Sequence, residues 1–302
     1  MTNKYKLVVK QEQGRLDSFI ATQITDLSRT RIKELIKEKL VLVNDQVAKA
    51  AYQIQNQDVI DVTIPALKPL ELEPEAITLD IIYEDKDVIV VNKPQGMVVH
   101  PAAGHHHHTL VNALLYHTKE LAASNEGFRP GIVHRIDKDT SGLLMVAKNT
   151  HSRQSLEKQL AHKTNKRQYL AIVHGNFTEK TGLIDAPIGR NQFNRKKMAV
   201  VDQGKAARTH FTVLEQFANY SLIACRLETG RTHQIRVHLA YIGHPVAGDP
   251  LYGPHHTLSG HGQFLHAQVL GFYQPSSGKW LEFKADPPAI FKQRLSELRK
   301  TK

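Results

Sequence analysis

The 302-residue chain is 41% hydrophobic and 23% charged, the balance of a water-soluble globular protein of about two domains. No apolar run reaches the roughly 18 residues of a membrane span, and a single cysteine excludes an internal disulfide. A net charge of +11 points to a polyanionic partner.

Residues 1–62 hold ten Lys/Arg against eight Asp/Glu and residues 63–80 one against four, so the excess lies beyond them. It is densest over 163–208, where ten basic residues face three acidic ones, making Arg195, Lys196 and Lys197 candidate backbone-gripping cations. The opening MTNKYKLVVKQEQGR lacks the apolar core of a signal peptide, and a cytoplasmic protein is expected.

Leu16, Phe19, Ile20 and Ile24 recur at helical spacing, predicting a helix over 15–24. Ser28 is a candidate N-cap for a second helix over 29–39, with Ile32, Leu35 and Ile36 as its buried stripe. Arg29, Lys33 and Lys37 recur every four residues and share another face. LVLVND at 40–45 reads as a strand entering a turn, and residues 58–64 as a strand alternating Ile60, Val62 and Ile64 with polar residues. Two short helices, a small sheet and a basic stripe resemble the alpha-L RNA-binding domain, placed here at 13–62. Pro65, Pro69 and Pro74 with Glu71, Glu73 and Glu75 stiffen and extend the chain, so 63–78 is expected to be a linker. The second domain is then 79–302.

That domain should open with a hairpin, 80–83 and 88–91 around a turn at 84–87. His105 to His108 fall in a loop, where consecutive residues cannot all converge on one ion. Thr109 should cap a helix carrying Leu110, Ala113, Leu114 and Tyr116. Residues 132–133 and 143–147 read as buried strands flanking the charged loop 134–141, in which five of eight residues are ionisable. A helix over 152–162 and strands at 170–173, 209–214 and 220–227 follow; Cys225, in the last, is a packing residue. Arg231-Thr232-His233-Gln234-Ile235-Arg236 begins a helix that Gly243 ends. A strand from Phe264, a turn at 275–278, a strand over 279–283 and a helix carrying Ile290, Phe291, Leu295 and Leu298 complete the chain. The expected fold is α+β, a mainly antiparallel mixed central sheet flanked by helices.

Asp137-x-Asp139-x-Ser141-Gly142 imitates the start of a calcium loop, but the twelfth position, which needs a bidentate carboxylate, is Lys148. His233 and His238, five apart, lie about 140° apart around a helix and do not make a two-histidine zinc face. No P-loop and no GxSxG elbow occurs, so chemistry resting on side chains alone is expected, with no metal and no cofactor. Asp137 is flanked by His134, Arg135 and Lys138, cations that favour a charged nucleophile. Three readings stay open: a lone carboxylate that breaks and re-forms a glycosidic bond, a glycosidase using Asp137 with Asp139, and a structural loop residue bonded to Arg135.

HRIDKDTSGLL at 134–144, NKPQGMVVHP at 92–101, KRQYLA at 166–171 and LETGRTHQIRVHLAYIGHPVAGDPLYG at 227–253 resemble, in order, the motif blocks of the RluA family of pseudouridine synthases. The layout is most similar to the RluD-type members that act on large-subunit ribosomal RNA. The resemblance implies an isomerase without cofactor, with Asp137 as the catalytic aspartate and Arg231 as its salt-bridge partner. It implies that Tyr169 packs against the target uracil and that Arg135 enters the stack the flipped uridine has left. Structured RNA, most plainly ribosomal, is the expected partner of a monomer with no membrane contact. The rival is a non-catalytic RNA-binding assembly factor on the same fold.

Overall fold

The chain packs as two units, Met1–Glu71 and Leu72–Lys302. The computed structural model describes residues 3–301 except 25, 26, 28, 66–71, 102–106 and 123–128. Ser28, Pro69, Glu71, His105 and His106 therefore lie outside the described residues.

The first unit runs β1 (Asn3–Val8), α1 (Leu16–Gln23), α2 (Arg29–Lys37), β2 (Val41–Val43), β3 (Gln46–Val47) and β4 (Val59–Ile64). Its antiparallel sheet has the order β1-β4-β2-β3. Both helices bury the predicted stripes: Leu16, Ile20, Ile32 and Leu35 are fully buried, with Val41 and Ile60 opposite them. Asn44 and Asp45 take left-handed backbone (φ 48° and 62°), the two-residue turn that matches strand twist. The unit also takes in β1, which precedes the domain expected at 13–62. β1 pairs along β4 from Asn3↔Ile64 to Val8↔Val59, with Lys4 and Lys6 alternating against Tyr5, which stays exposed, and Leu7, which packs on the unit's core.

The boundary between the units, after Glu71, falls inside the linker expected at 63–78. Thr63 and Ile64 finish β4, and 72–78 dock on the second unit. Leu72 packs on its core, Glu75 N–H donates to the Asn112 carbonyl at 3.0 Å, and Asn112 Nδ2 donates to the Glu73 carbonyl at 2.8 Å. The acidic prolyl stretch is thus partly a strap.

The second unit contains β5 (Ile81–Glu84), β6 (Val88–Lys93), α3 (Leu110–His117), β7 (Ser141–Ala147), α4 (Thr150–Ala161) and β8 (Lys166–His174). β9 (Thr181–Asp185), β10 (Ile188–Arg190), β11 (Met198–Val200), β12 (Arg208–Gln216) and β13 (Tyr220–Leu227) follow, then α5 (Gln234–Tyr241), β14 (Leu265–Tyr273), β15 (Trp280–Lys284) and α6 (Ala289–Lys300). Nine strands form one sheet, β5-β6-β7-β14-β8-β13-β12-β9, with β15 beside β14. Only β7 and β14 pair in parallel, so the sheet is mixed and mainly antiparallel. Both faces are covered. In β7, Leu144 and Val146 join the core with α3 and α5, while Leu143, Met145 and Ala147 join the core with α4. Ile132 and Val133 do not form the expected strand: Ile132 makes one isolated bridge, to Val146. Among the described residues no helix is long and apolar enough to cross a membrane.

Candidate active site

The loop before β7 is held from three sides. Gly142 (φ 113°) lets the chain enter β7 against β14, where an added Cβ would lie 2.3 Å from the Ala267 carbonyl oxygen. Ile136 is buried beside Asp137, and His134 Nε2 accepts the Met145 N–H at 3.1 Å. Lys93, fully buried, donates from Nζ to the carbonyls of Pro94 (2.8 Å), Met97 (2.9 Å) and Lys138 (3.0 Å). Burial pushes its ammonium down to about 7, against the attraction of Asp139 and Asp137. The buried Lys93 Nζ thereby pins the residue that follows Asp137.

Asp137 Oδ2 accepts a hydrogen bond of 2.8 Å from Arg236 Nη1. The other side of that guanidinium grips Asp249, Nε to Oδ2 at 2.7 Å and Nη2 to Oδ1 at 2.8 Å, a two-pronged pair that fixes the guanidinium plane. Asp249 Oδ1 also accepts the N–H groups of Leu251 (2.8 Å) and Tyr252 (3.0 Å). Burial disfavours the charge on Arg236, but the bonds and fields of Asp249 and Asp137 outweigh it and raise its pKa. The Tyr252 ring lies 5.1 Å from the guanidinium, and its hydroxyl accepts the Met198 N–H and bonds His233 Nδ1, both at 2.8 Å. His233, in left-handed backbone (φ 57°), brings Nε2 to 3.9 Å from Asp137 Oδ1.

The salt-bridge partner is therefore Arg236 and not Arg231. α5 begins only at Gln234, so Arg231 sits on the preceding turn, where its N–H donates to Gln234 Oε1 and its Nε to the Ala206 carbonyl, both at 3.0 Å. Arg236, the third residue of the helix, is buried and meets Asp137 and Asp249. The quoted block contains both arginines; helical phase separates them only once the helix start is known.

Asp137, Arg236, Arg231, Arg135 and Tyr169 line one cavity of about 550 Å³, a size suited to a nucleotide-scale ligand. Tyr169 lies in β8 between Cys225 of β13 and Ala267 of β14, on the sheet face shared with α5. Its ring is 6% exposed, and burial raises its hydroxyl pKa. Arg135 is exposed at the mouth, with Nη1 donating to Nε2 of buried His100 at 3.4 Å. Asp139 is not among the lining residues and packs against Gly262. Among the described residues the other carboxylate lining the cavity is Glu157, which accepts from Arg153 Nε at 2.9 Å.

In the first unit, buried Asp17 gathers Arg15 (3.0 Å), Arg29 (3.3 Å) and Lys33 (3.7 Å). The Arg15 hydrogen bond leads the effects that hold Asp17 below the usual carboxylate range. Lys37 is exposed on the same helix. Arg195 and Lys196 are exposed, and Lys197 half-buried, in the β10–β11 loop. Of the histidine run, His108 pairs with Glu75 at 2.6 Å and His107 at 3.6 Å.

Residues 87–241 match the RNA pseudouridylate synthase family, and residues 14–60 the S4 domain. The chain is similar to an uncharacterised RNA pseudouridine synthase of Bacillus subtilis, 52% identical over 291 residues and covering 96% of both chains. It is also similar to ribosomal large subunit pseudouridine synthase D of Zymomonas mobilis, 49% identical, with 95% of this chain and 94% of that one covered. Among solved structures, human RNA pseudouridylate synthase domain containing 1 aligns with a TM-score of 0.59 at 27% identity, over 75% of this chain and 97% of that one.

Proposed function

The chain belongs to the RNA pseudouridylate synthase family, and from that premise we propose that it isomerises uridines of structured large-subunit ribosomal RNA with Asp137 as the reacting carboxylate. The observation that carries this reading is the 2.8 Å bond from Arg236 to Asp137 inside a cavity that Tyr169 also lines. The name of the Zymomonas relative supports the ribosomal substrate.

A uridine stacked in RNA is out of reach of a carboxylate in a cavity, so it must be flipped, at a cost of a few kcal/mol. Arg135, exposed at the mouth, is suited to stack in the vacated gap, while Tyr169 supports the extruded ring. The C1′–N1 bond then breaks, the retained base turns, and C5 bonds to C1′ before losing its proton. Attack at C1′, attack at C6 and removal of a ribose proton all start from the same carboxylate. Arg236, locked by Asp249, aims it. Arg29, Lys33 and Lys37 of the first unit, and Arg195, Lys196 and Lys197 of the second, grip phosphates.

Asp137→Asn keeps the side-chain shape and removes the charge. It should abolish pseudouridine formation on ribosomal RNA while RNA binding persists, read by chemical mapping of pseudouridine and a filter-binding isotherm. Normal modification by this variant in a background lacking the wild-type protein would overturn the assignment.

A further inference from the structure

The loop joining β10 to β11 is tightly tied yet presents a bare aromatic ring. Asn191 Oδ1 accepts the N–H groups of Phe193 and Asn194, both at 2.9 Å, and Asn194 Oδ1 accepts that of Lys196 at 3.1 Å. Arg190 Nη1 donates to the Arg195 carbonyl at 2.6 Å, and Asn191 N–H to the Lys197 carbonyl at 3.1 Å. Phe193 at its tip is 99% exposed. A phenyl ring held fully in water forgoes roughly 1.5–3 kcal/mol of burial, and a loop built to keep it there suggests a partner that covers it.

The surroundings identify that partner's chemistry. From Ile188 to Val201 the chain carries Arg190, Arg195, Lys196 and Lys197 and no acidic residue. Cations interleaved with an aromatic ring fit a nucleic-acid strand, phosphates on the charges and a base on the ring. The root of the hairpin is fixed to the reacting centre: Met198 N–H donates to the Tyr252 hydroxyl, Lys197 Nζ lies 5.9 Å from the Tyr252 ring, and Tyr252 lies against Arg236. A strand delivering a uridine to Asp137 therefore has this loop within reach. An apolar protein groove would explain the ring but not the four cations.

We infer that Phe193 is a stacking platform for an unpaired base of the substrate RNA near the target uridine. This rests on the reading that structured RNA reaches Asp137, and it adds a contact that reads unpaired geometry rather than charge.

Because the ring touches nothing in the fold, Phe193→Ala should leave the denaturation midpoint unchanged. It should weaken binding of, and raise KM for, the structured ribosomal RNA roughly 5- to 100-fold, the range for losing one stacked base. Phe193→Trp should restore or exceed wild-type affinity, and Phe193→Leu, apolar but unable to stack, should not. The salt slope should be the same in all three, since no charge is removed. Unchanged RNA affinity in Phe193→Ala, as expected if the ring meets another protein, would overturn the proposal; so would full rescue by Phe193→Leu. Failure of the wild-type protein to form any pseudouridine would instead sink the underlying reading.

Discussion

Replacing Arg236 separates its role from that of Arg231. Arg236 has a 6% exposed side chain and divides one guanidinium between Asp249, fully buried, and Asp137. Arg236→Met leaves Asp249 as a buried charge without its cation, a change that costs roughly 3–5 kcal/mol. Asp137 loses both the attraction and the fixed direction, and misplacing a reacting group by about 1 Å lowers rates about 100-fold. Arg236→Lys keeps one cation but no fork, so a single ammonium cannot serve Asp249 through two bonds and Asp137 through a third. It should lose less stability than Arg236→Met and still lose most of the rate.

Arg231→Met, by contrast, removes an exposed side chain bonded to one carbonyl, and its stability should stay within about 0.5 kcal/mol of wild type. The assay is single-turnover pseudouridine formation at saturating enzyme, below each variant's melting transition, with urea midpoints measured in parallel. Wild-type rates in Arg236→Lys, or an Arg231→Met rate as low as that of Arg236→Met, would refute the assignment of Arg236 as the partner that matters.

Further perturbations test the rest of the frame. Lys93→Met strips the Pro94 and Met97 carbonyls of their donor and should cost roughly 2–5 kcal/mol in urea denaturation; a loss below about 1 kcal/mol would show that the clasp is dispensable. Burial, reinforced by Arg135 and Arg129, pushes His100 down to about 4, and burial, with Arg167 adding, takes His134 to about 3. The unfolded chain therefore binds more protons as pH falls below about 6.5, and stability should decline from there toward pH 4, His100 alone contributing roughly 3 kcal/mol. His100→Gln should flatten the curve, and equal urea midpoints at pH 7.5 and 5 in wild type would contradict the burial argument. Neutralising Arg195, Lys196 and Lys197 together should reduce the log–log salt slope of RNA binding by roughly two to three, and an unchanged slope would remove this loop from the phosphate contacts. Deleting residues 1–71 should preserve the chemistry but lower efficiency on structured ribosomal RNA; equal rates with and without them would deny the first unit a role.

Local periodicity carries the elements well. The Leu16–Ile24 and Ile32–Ile36 stripes, the Thr109 cap and the strand of 143–147 all form from neighbours within a few residues, and the structure has each of them. What local pattern could not reveal depends on partners far along the chain. β1 shows only a short alternation, Tyr5 and Leu7 against Lys4 and Lys6, with most side chains exposed, and its place is set by backbone pairing with β4. Residues 132–133 are apolar because they bury against the sheet, without belonging to a strand. The arginine that meets Asp137 depends on where α5 starts, which His233 decides by its left-handed backbone. Asp249 and Tyr252 lie inside a recognised block, yet their job is legible only once Arg236 is seen between them. Lys93 is less legible still, since a lysine before a proline reads as a surface turn until its ammonium is found under three carbonyls.

The same geometry bears on isomerisation against hydrolysis. A hydrolase of this kind needs a second carboxylate, poised to activate water or protonate the departing base. Asp139, the candidate nearest in sequence, packs against Gly262 and does not line the cavity. Glu157 lines it, but is bonded to Arg153 on an exposed part of α4, where its charge is already engaged. Around Asp137 the walls combine apolar side chains that can hold a flat ring, Ile136, Tyr169 and Leu265 among them, with the cations Arg135, Arg231 and Arg236. A base freed from C1′ in such a place has a carboxylate-bound or activated sugar as its nearest reaction partner. On the reading proposed for Asp137, recombination through C5 should outrun release, and detection of free uracil in proportion to turnover would show that the cavity fails to retain the base.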